Sequence, residues 1–257
     1  MTGEKNAMIL DEIIAKTRIR VEREKQNIPE ADMIKQAKNT VSKLPAFAFE
    51  QALAAGEIGF ICEVKKASPS KGLIAPEFPY VEIAKEYEAC GATCISVLTE
   101  PDFFQGQNAY LSEIKQEVSI PVLRKDFVID PYQIYQAKVI GADCVLLICA
   151  VLDADTLRRF LLICEELGLS ALVEAHDEQE IKKALASGAR MIGVNNRNLK
   201  DFTVDIHTGI RLRKLVPEDV IFIAESGIKT GADIEELRRA DVNGVLIGET
   251  RSEERRV

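Results

Sequence analysis

The chain has 257 residues, 47% of them hydrophobic and 29% charged, with a mean hydropathy near zero, which excludes a disordered or collagen-like polymer. A net charge of −8 and a pI near 5.1 argue against bulk electrostatic binding of nucleic acid, while leaving room for a local basic pocket. The longest apolar run, Cys144 to Leu152, is far short of the roughly 20 residues that span a bilayer.

In chain order, residues 1–58 come first and are helical in period. Leu10, Ile13, Ile14 and Val21 mark one amphipathic helix, a second lies near 31–38, and "FAFEQAL" at 47–53 supplies a short third. Glu4, Lys5, Asp11 and Glu12 interrupt the first residues, so no secretory leader is legible and a cytoplasmic protein is expected. This N-terminal extension reads either as a helical plug on the strands beyond it or as a lid over a substrate.

From residue 59 onward, short β-branched runs alternate with helical segments. The strands are predicted at 59–65, 93–98, 121–125, 144–149, 170–175, 191–195, 220–225 and 244–248. Several are almost wholly apolar, as parallel strands covered by helices are. Between them, segments such as 154–168 place Leu157, Phe160, Leu161 and Cys164 on one helical face. A Gly-Ala pair recurs before strands at Gly91-Ala92, Gly141-Ala142 and Gly188-Ala189, where glycine suits a left-handed helix end. Eight strands with seven clear helices between them predict an α/β fold, a (βα)8 barrel, which commonly runs to about 250 residues. A doubly wound sheet would carry a glycine-rich turn after its first strand, and Glu63-Val64-Lys65-Lys66 is not one. No domain boundary is legible: residues 1–58 form the extension, 59–250 the barrel and 251–257 a short tail.

Polar residues fall at the C-terminal strand ends, where such barrels keep their active sites. Glu63 and Lys65 close the first strand on one face, Lys125 ends the third, Glu174 the fifth, Asn195 the sixth and Glu225 the seventh. Charges gathered on a common rim cost several kcal/mol unless paired, so lysines facing glutamates point to acid/base chemistry. Two glycine turns, "ESGI" at 225–228 and "IGET" at 247–250, lie at the ends of the last two strands, where backbone N–H groups often hold a phosphate. A long loop, Lys65 to Phe78, carries Lys65, Lys66 and Lys71 and is suited to closing over an anion. The six cysteines form no C-x-x-C pair, and His176 and His207 stand well apart. Buried reduced thiols are therefore expected rather than a metal site.

The sequence resembles the indole-3-glycerol phosphate synthase family of tryptophan biosynthesis from about residue 8 to residue 250. The motifs are "ICEVKKASPSKG" at 61–72, "VLTEPDFFQG" at 97–106, "PVLRKDF" at 121–127, "GADCVLLI" at 141–148, "ALVEAHD" at 171–177, "IGVNNRNL" at 192–199, "FIAESGI" at 222–228 and "VLIGE" at 245–249. The resemblance implies a lyase that closes the indole ring of 1-(o-carboxyphenylamino)-1-deoxyribulose 5-phosphate with loss of carbon dioxide and water, using no cofactor or metal. It implies Lys125 as general acid, Glu174, Glu63 and Lys65 in decarboxylation and dehydration, and Asn195 and Glu225 with Ser226 on the substrate hydroxyls. It further implies Ser68 and Arg197 as anchors for the carboxylate or phosphate, Gly227, Gly248 and Glu249 with Lys65 around the phosphate, and Phe104 against the anthranilate ring. Competing readings are another phosphate-binding barrel, such as phosphoribosylanthranilate isomerase, and an inactive binding module. An isomerase needs one acid/base pair and leaves two lysines with three glutamates unexplained.

One departure from the family stands out. Residues 251–257 have Val257 as their only apolar side chain, where the family continues into an amphipathic helix. The tail is expected to leave an apolar strip beside the last strand, covered by the N-terminal segment or by a second copy in a homo-oligomer.

Overall fold

The computed structural model describes residues 2–69, 72–74, 77–197 and 203–248, with side chains from residue 9 onward. Three helices precede the barrel: α1 (Thr2–Asn27), α2 (Glu30–Asn39) and α3 (Ala48–Leu53). Strand β1 (Gly59–Val64) leads into a small antiparallel pair, β2 (Ala67–Ser68) and β3 (Gly72–Leu73). Then come α4 (Tyr80–Ala89), β4 (Cys94–Leu98), α5 (Asn108–Glu117), β5 (Val122–Lys125), α6 (Pro131–Val139), β6 (Cys144–Ile148) and α7 (Ala154–Leu167). The series ends with β7 (Ser170–Ala175), α8 (Glu178–Ser187), β8 (Met191–Asn195), α9 (His207–Arg213), β9 (Ile221–Glu225), α10 (Gly231–Arg239) and β10 (Gly244–Ile247).

Among the described residues, eight parallel strands close into a barrel in the order β1-β10-β9-β8-β7-β6-β5-β4. Each of the eight expected strands is present within a residue or two of its expected ends. The long loop after β1 is a departure, because it holds the β2–β3 pair, too short to show a strand period. Gly91, Gly141 and Gly188 all take positive φ, and Gly188 caps α8 in the left-handed region at φ 95. The repeated Gly-Ala pairs therefore do end helices as expected.

Strand alternation builds two cores. Ile61, Leu123, Leu172, Ile223 and Leu246 point inward and pack with Cys94, Cys144 and Met191. Val64, Val97, Val145, Val173, Val194 and Val245 belong to the outer core beneath the helices. Four cysteines are buried in these layers, while Cys62 is half-buried and Cys90 exposed. Burial pushes the Cys149 and Cys164 thiols up to about 12, so both stay neutral.

The N-terminal helices occupy both ends of the barrel. Phe49 and Leu53 of α3 enter the inner core, and a Cβ on Gly59, the first residue of β1, would lie 2.6 Å from Leu53. The backbone N–H of Glu50 donates to Ser170 at the start of β7 at 3.3 Å, so α3 is a plug at the N-terminal strand ends. Burying each of these side chains contributes about 1.5–3 kcal/mol. Helix α1 runs past the opposite end, where Arg20 pairs with Asp126 at 2.8 Å and Lys25 with Asp130 at 2.8 Å. The expectation about the tail concerns residues 251–257, which lie outside the described residues. No described helix is long and apolar enough to cross a membrane.

Asp126 is the buried junction between α1 and the barrel. It accepts from Arg20 at 2.8 Å, Thr99 at 2.9 Å and Arg124 at 3.2 Å, and its own neighbour Phe127 donates a backbone N–H at 2.8 Å. Burial would raise its carboxyl, but Arg124 and Arg20 outweigh burial and hold it below its usual value. Removing it strands two buried guanidinium groups. Asp126→Ala should therefore destabilise the chain by about 3–5 kcal/mol in urea titrations, and Arg20→Ala, which leaves the Arg124 pair in place, by less.

Candidate active site

Two residues beyond the inward apolar layer, the same strand faces present charge. Ile61 leads to Glu63, Leu123 to Lys125, Leu172 to Glu174 and Ile223 to Glu225, each pair two residues apart and so on one face. These side chains converge at the C-terminal mouth. Lys125 Nζ lies 2.7 Å from Glu225 Oε2 and 3.6 Å from Glu174 Oε2. Lys65, one residue past β1, folds back to Glu63 Oε1 at 2.7 Å. Five of the six expected rim residues thus form two ion-paired groups, and the sixth, Asn195, is hydrogen-bonded to Glu174.

Burial and neighbouring charge set the protonation states. Burial would lower Lys125, but Glu225, Glu174 and Glu63 together raise it above its usual value, so it is an ammonium. Burial pushes Glu225 up, Lys125 pulls it down, and the other two glutamates leave it at about 7. Burial also pushes Glu174 up, but the nearby His176 imidazole and the charge of Lys125 bring it down to about 2. Glu63 is lowered in the same way, with Lys65 and Lys125 outweighing burial. One carboxyl titrating near neutrality thus stands beside others held ionised, the kind of divergence that marks a functional site.

His176 is a site residue that the sequence did not single out. Its Nε2 is 3.3 Å from Glu174 Oε1 and its Nδ1 is 3.1 Å from Glu180 Oε2. The spacings that carry the signal are i, i+2 from Glu174 and i, i+4 to Glu180, legible only once strand and helix boundaries are known. Burial would lower the ring, but Glu174 and Glu180 raise it to about 10. Two further residues join the site without a sequence signal. Asn196 donates to the carbonyl of Ser226 at 3.1 Å and accepts the Gly209 N–H at 2.9 Å, tying β8 to the turn after β9. Gly193 leaves room for Glu225, whose Oε1 would lie 2.3 Å from a Cβ there.

Phe104 stands on the loop after β4, its ring 6.2 Å from that of Phe127, and Glu100 holds the loop by accepting the N–H groups of Asp102, Phe103 and Phe104. Ser226 and Gly227 both take positive φ, at 66 and 82, so the turn after β9 is left-handed over two residues. Gly248 approaches Glu63 so closely that a Cβ would be 2.8 Å from Oε1. Ser68 is buried on β2. The backbone N–H of Arg197 donates to Asn195 Oδ1 at 3.1 Å. Glu249 lies outside the described residues, as does Lys71.

A sequence model of a family described as indole-3-glycerol phosphate synthase matches residues 10–256. Proteins of that name from Ruminiclostridium cellulolyticum, Endomicrobium trichonymphae and Lachnoclostridium phytofermentans are 61%, 57% and 54% identical to the chain. The matches cover 95%, 94% and 95% of this chain and 93% of each relative.

The close contact at Gly193 and the shifted groups around Glu174 each have a measurable consequence. Gly193→Ala should leave the fold intact, because the nearest atom to the new methyl is the movable end of Glu225. A crystal structure should show that carboxylate displaced from Lys125, and a misplacement of about 1 Å lowers turnover by about 10²-fold. The second consequence concerns pH. The raised His176 ring adds stability in full below its usual 6.5, lost as pH rises through about 10. Lowered Glu174 adds stability above its usual 4.5, lost as pH falls through about 2. Melting temperatures taken from pH 6 to pH 10 should therefore fall more steeply for the native chain than for His176→Gln.

Proposed function

The chain belongs to the indole-3-glycerol phosphate synthase family, and we propose that it performs the family's reaction through the ion pairs at the barrel mouth. The activity is that of a decarboxylating lyase of tryptophan biosynthesis. In it, the ring carbon of 1-(o-carboxyphenylamino)-1-deoxyribulose 5-phosphate that bears the carboxylate attacks the ketose carbonyl. Carbon dioxide leaves, and loss of water then completes the indole.

The observation that carries the assignment of roles is the Lys125 ammonium held 2.7 Å from Glu225 and 3.6 Å from Glu174. Lys125 gives its proton to the carbonyl oxygen as the ring closes, neutralising the alkoxide where it forms. Loss of water needs a donor for the departing hydroxyl and an acceptor for the proton leaving the adjacent carbon. Glu174, kept ionised, is suited to accept, and the Lys65–Glu63 pair is suited to donate. Asn195 and Glu225, with Ser226, position the substrate hydroxyls.

The phosphate is assigned to the left-handed turn at Ser226–Gly227, to Gly248 and to Lys65, with Ser68 and Arg197 anchoring the second anionic group. Phe104 faces the anthranilate ring. A phosphorylated small molecule is thus the substrate, in keeping with the family. Residues 1–257 act as one domain in this reading, supported by the seating of α3 in the inner core. A cytoplasmic location belongs to the same proposal, supported by the buried free thiols.

Lys125→Ala tests the assignment. Turnover measured by fluorescence of the indole product should fall by at least about 10²- to 10⁴-fold, the usual contribution of a general acid. Competition by inorganic phosphate should change by no more than a few fold. A variant that turns over normally removes Lys125 from the mechanism.

A further inference from the structure

The proposed mechanism uses Glu174 and leaves His176 without a part, yet the two are built as one unit. Glu180, in the first turn of α8, accepts the backbone N–H of His176 at 2.8 Å with the same oxygen that lies 3.1 Å from the ring Nδ1. The N-cap Asp177 in turn accepts the N–H of Glu180 at 2.9 Å, which anchors the start of the helix. The ring is therefore oriented by α8, and its Nε2 is aimed at Glu174 Oε1. That nitrogen is buried from solvent and makes no well-aligned hydrogen bond. Both ring nitrogens face carboxylates, and a neutral imidazole would turn a lone pair toward one of them. Only the imidazolium, with a proton on each nitrogen, suits both.

The far oxygen of Glu174 looks the other way, into the mouth, toward Lys125 at 3.6 Å. We propose that His176 is a positioning residue for the reaction: clamped by Glu180, it holds Glu174 Oε1 and so presents Oε2 to the substrate as an ionised base. The proposal rests on the reading of Glu174 as the proton acceptor. Among the described residues, the charged groups around the ring are Glu174 on β7, Lys125 on β5 beyond it, Asp177 at the N-cap of α8, and Glu180 on α8, with Lys183 of the same helix beside Cys149. Cys149, after β6, donates its thiol to the carbonyl of Glu180 at 3.5 Å and adds no charge. Without the imidazolium, Lys125 and Asn195 alone would stabilise the Glu174 carboxylate, and the base would protonate at higher pH.

Two measurements separate this role from simple packing. In His176→Gln, the acid limb of the kcat–pH profile should move upward by about one unit or more. KM should change less than twofold, and activity should recover as the pH is raised. Glu180→Gln, which keeps the histidine, should shift the limb in the same direction. The second measurement needs no turnover. The chain has only two histidines, so ring nitrogen NMR with His207→Asn for assignment should show His176 as an imidazolium beyond pH 8. Its pKa should drop in Glu174→Gln. A His176 ring that titrates near 6.5, or a His176→Gln variant that lowers kcat equally at every pH or not at all, overturns the proposal. A native chain that does not turn over the substrate defeats the functional reading alone, because the NMR titration still decides the clamp.

Discussion

The chemistry at the mouth depends on one constraint: the Lys125 side chain is only 15% exposed, and a cation so far withdrawn from water needs carboxylates around it. Leaving such a charge unpaired costs several kcal/mol. Glu225 at 2.7 Å and Glu174 at 3.6 Å meet that cost, yet they are themselves buried like charges. The conflict is resolved by dividing their environments. Glu174 receives a second cation, His176, and is lowered to about 2. Glu225 receives none beyond Lys125, keeps one oxygen without a hydrogen bond, and rises to about 7. The two glutamates thus differ in protonation because the two cations are shared unequally between them.

That arrangement leans on its surroundings in ways that reach far along the chain. Lys125 is joined directly to Asp126, which links Arg20 of α1, Thr99 of β4's end and Arg124 of β5 in one buried network. The N-terminal extension is therefore part of the foundation of the site. It closes the barrel from below through Phe49 and Leu53 and braces the upper end through Arg20. Helix α3 is the plug, and α1 supports the rim beside Lys125. The same logic explains Gly193 and Asn196, which shape the space and the turn on which Glu225 and Ser226 stand.

The strands, their inward faces and the six rim residues were legible in the sequence because each depends on a local period. Alternation along a strand makes Leu123 and Lys125, or Ile223 and Glu225, share a face whatever lies opposite. The helix ends at Gly91, Gly141 and Gly188 were legible for the same reason, since a left-handed residue is a local steric demand. The β2–β3 pair was not, because two-residue strands are too short to carry a period. Nor was the part of His176, because a lone histidine has no local signature of a partner.

By itself, then, the sequence determined a parallel eight-stranded barrel, a charged layer at its C-terminal mouth and, through its motifs, the family to which it belongs. What only the tertiary structure decided is the pairing: Lys125 with Glu225 rather than Glu63, Glu63 with Lys65, His176 between Glu174 and Glu180, and Arg20 with Asp126 across 106 residues. The long-range pairings depend on how strands from distant parts of the chain are staggered as the barrel closes, and on how α1 docks against them, and protonation depends on that arrangement in turn. Periodicity acts between neighbours along the chain, whereas Coulomb energy and desolvation act through space, so the second could be read only after the first had been folded.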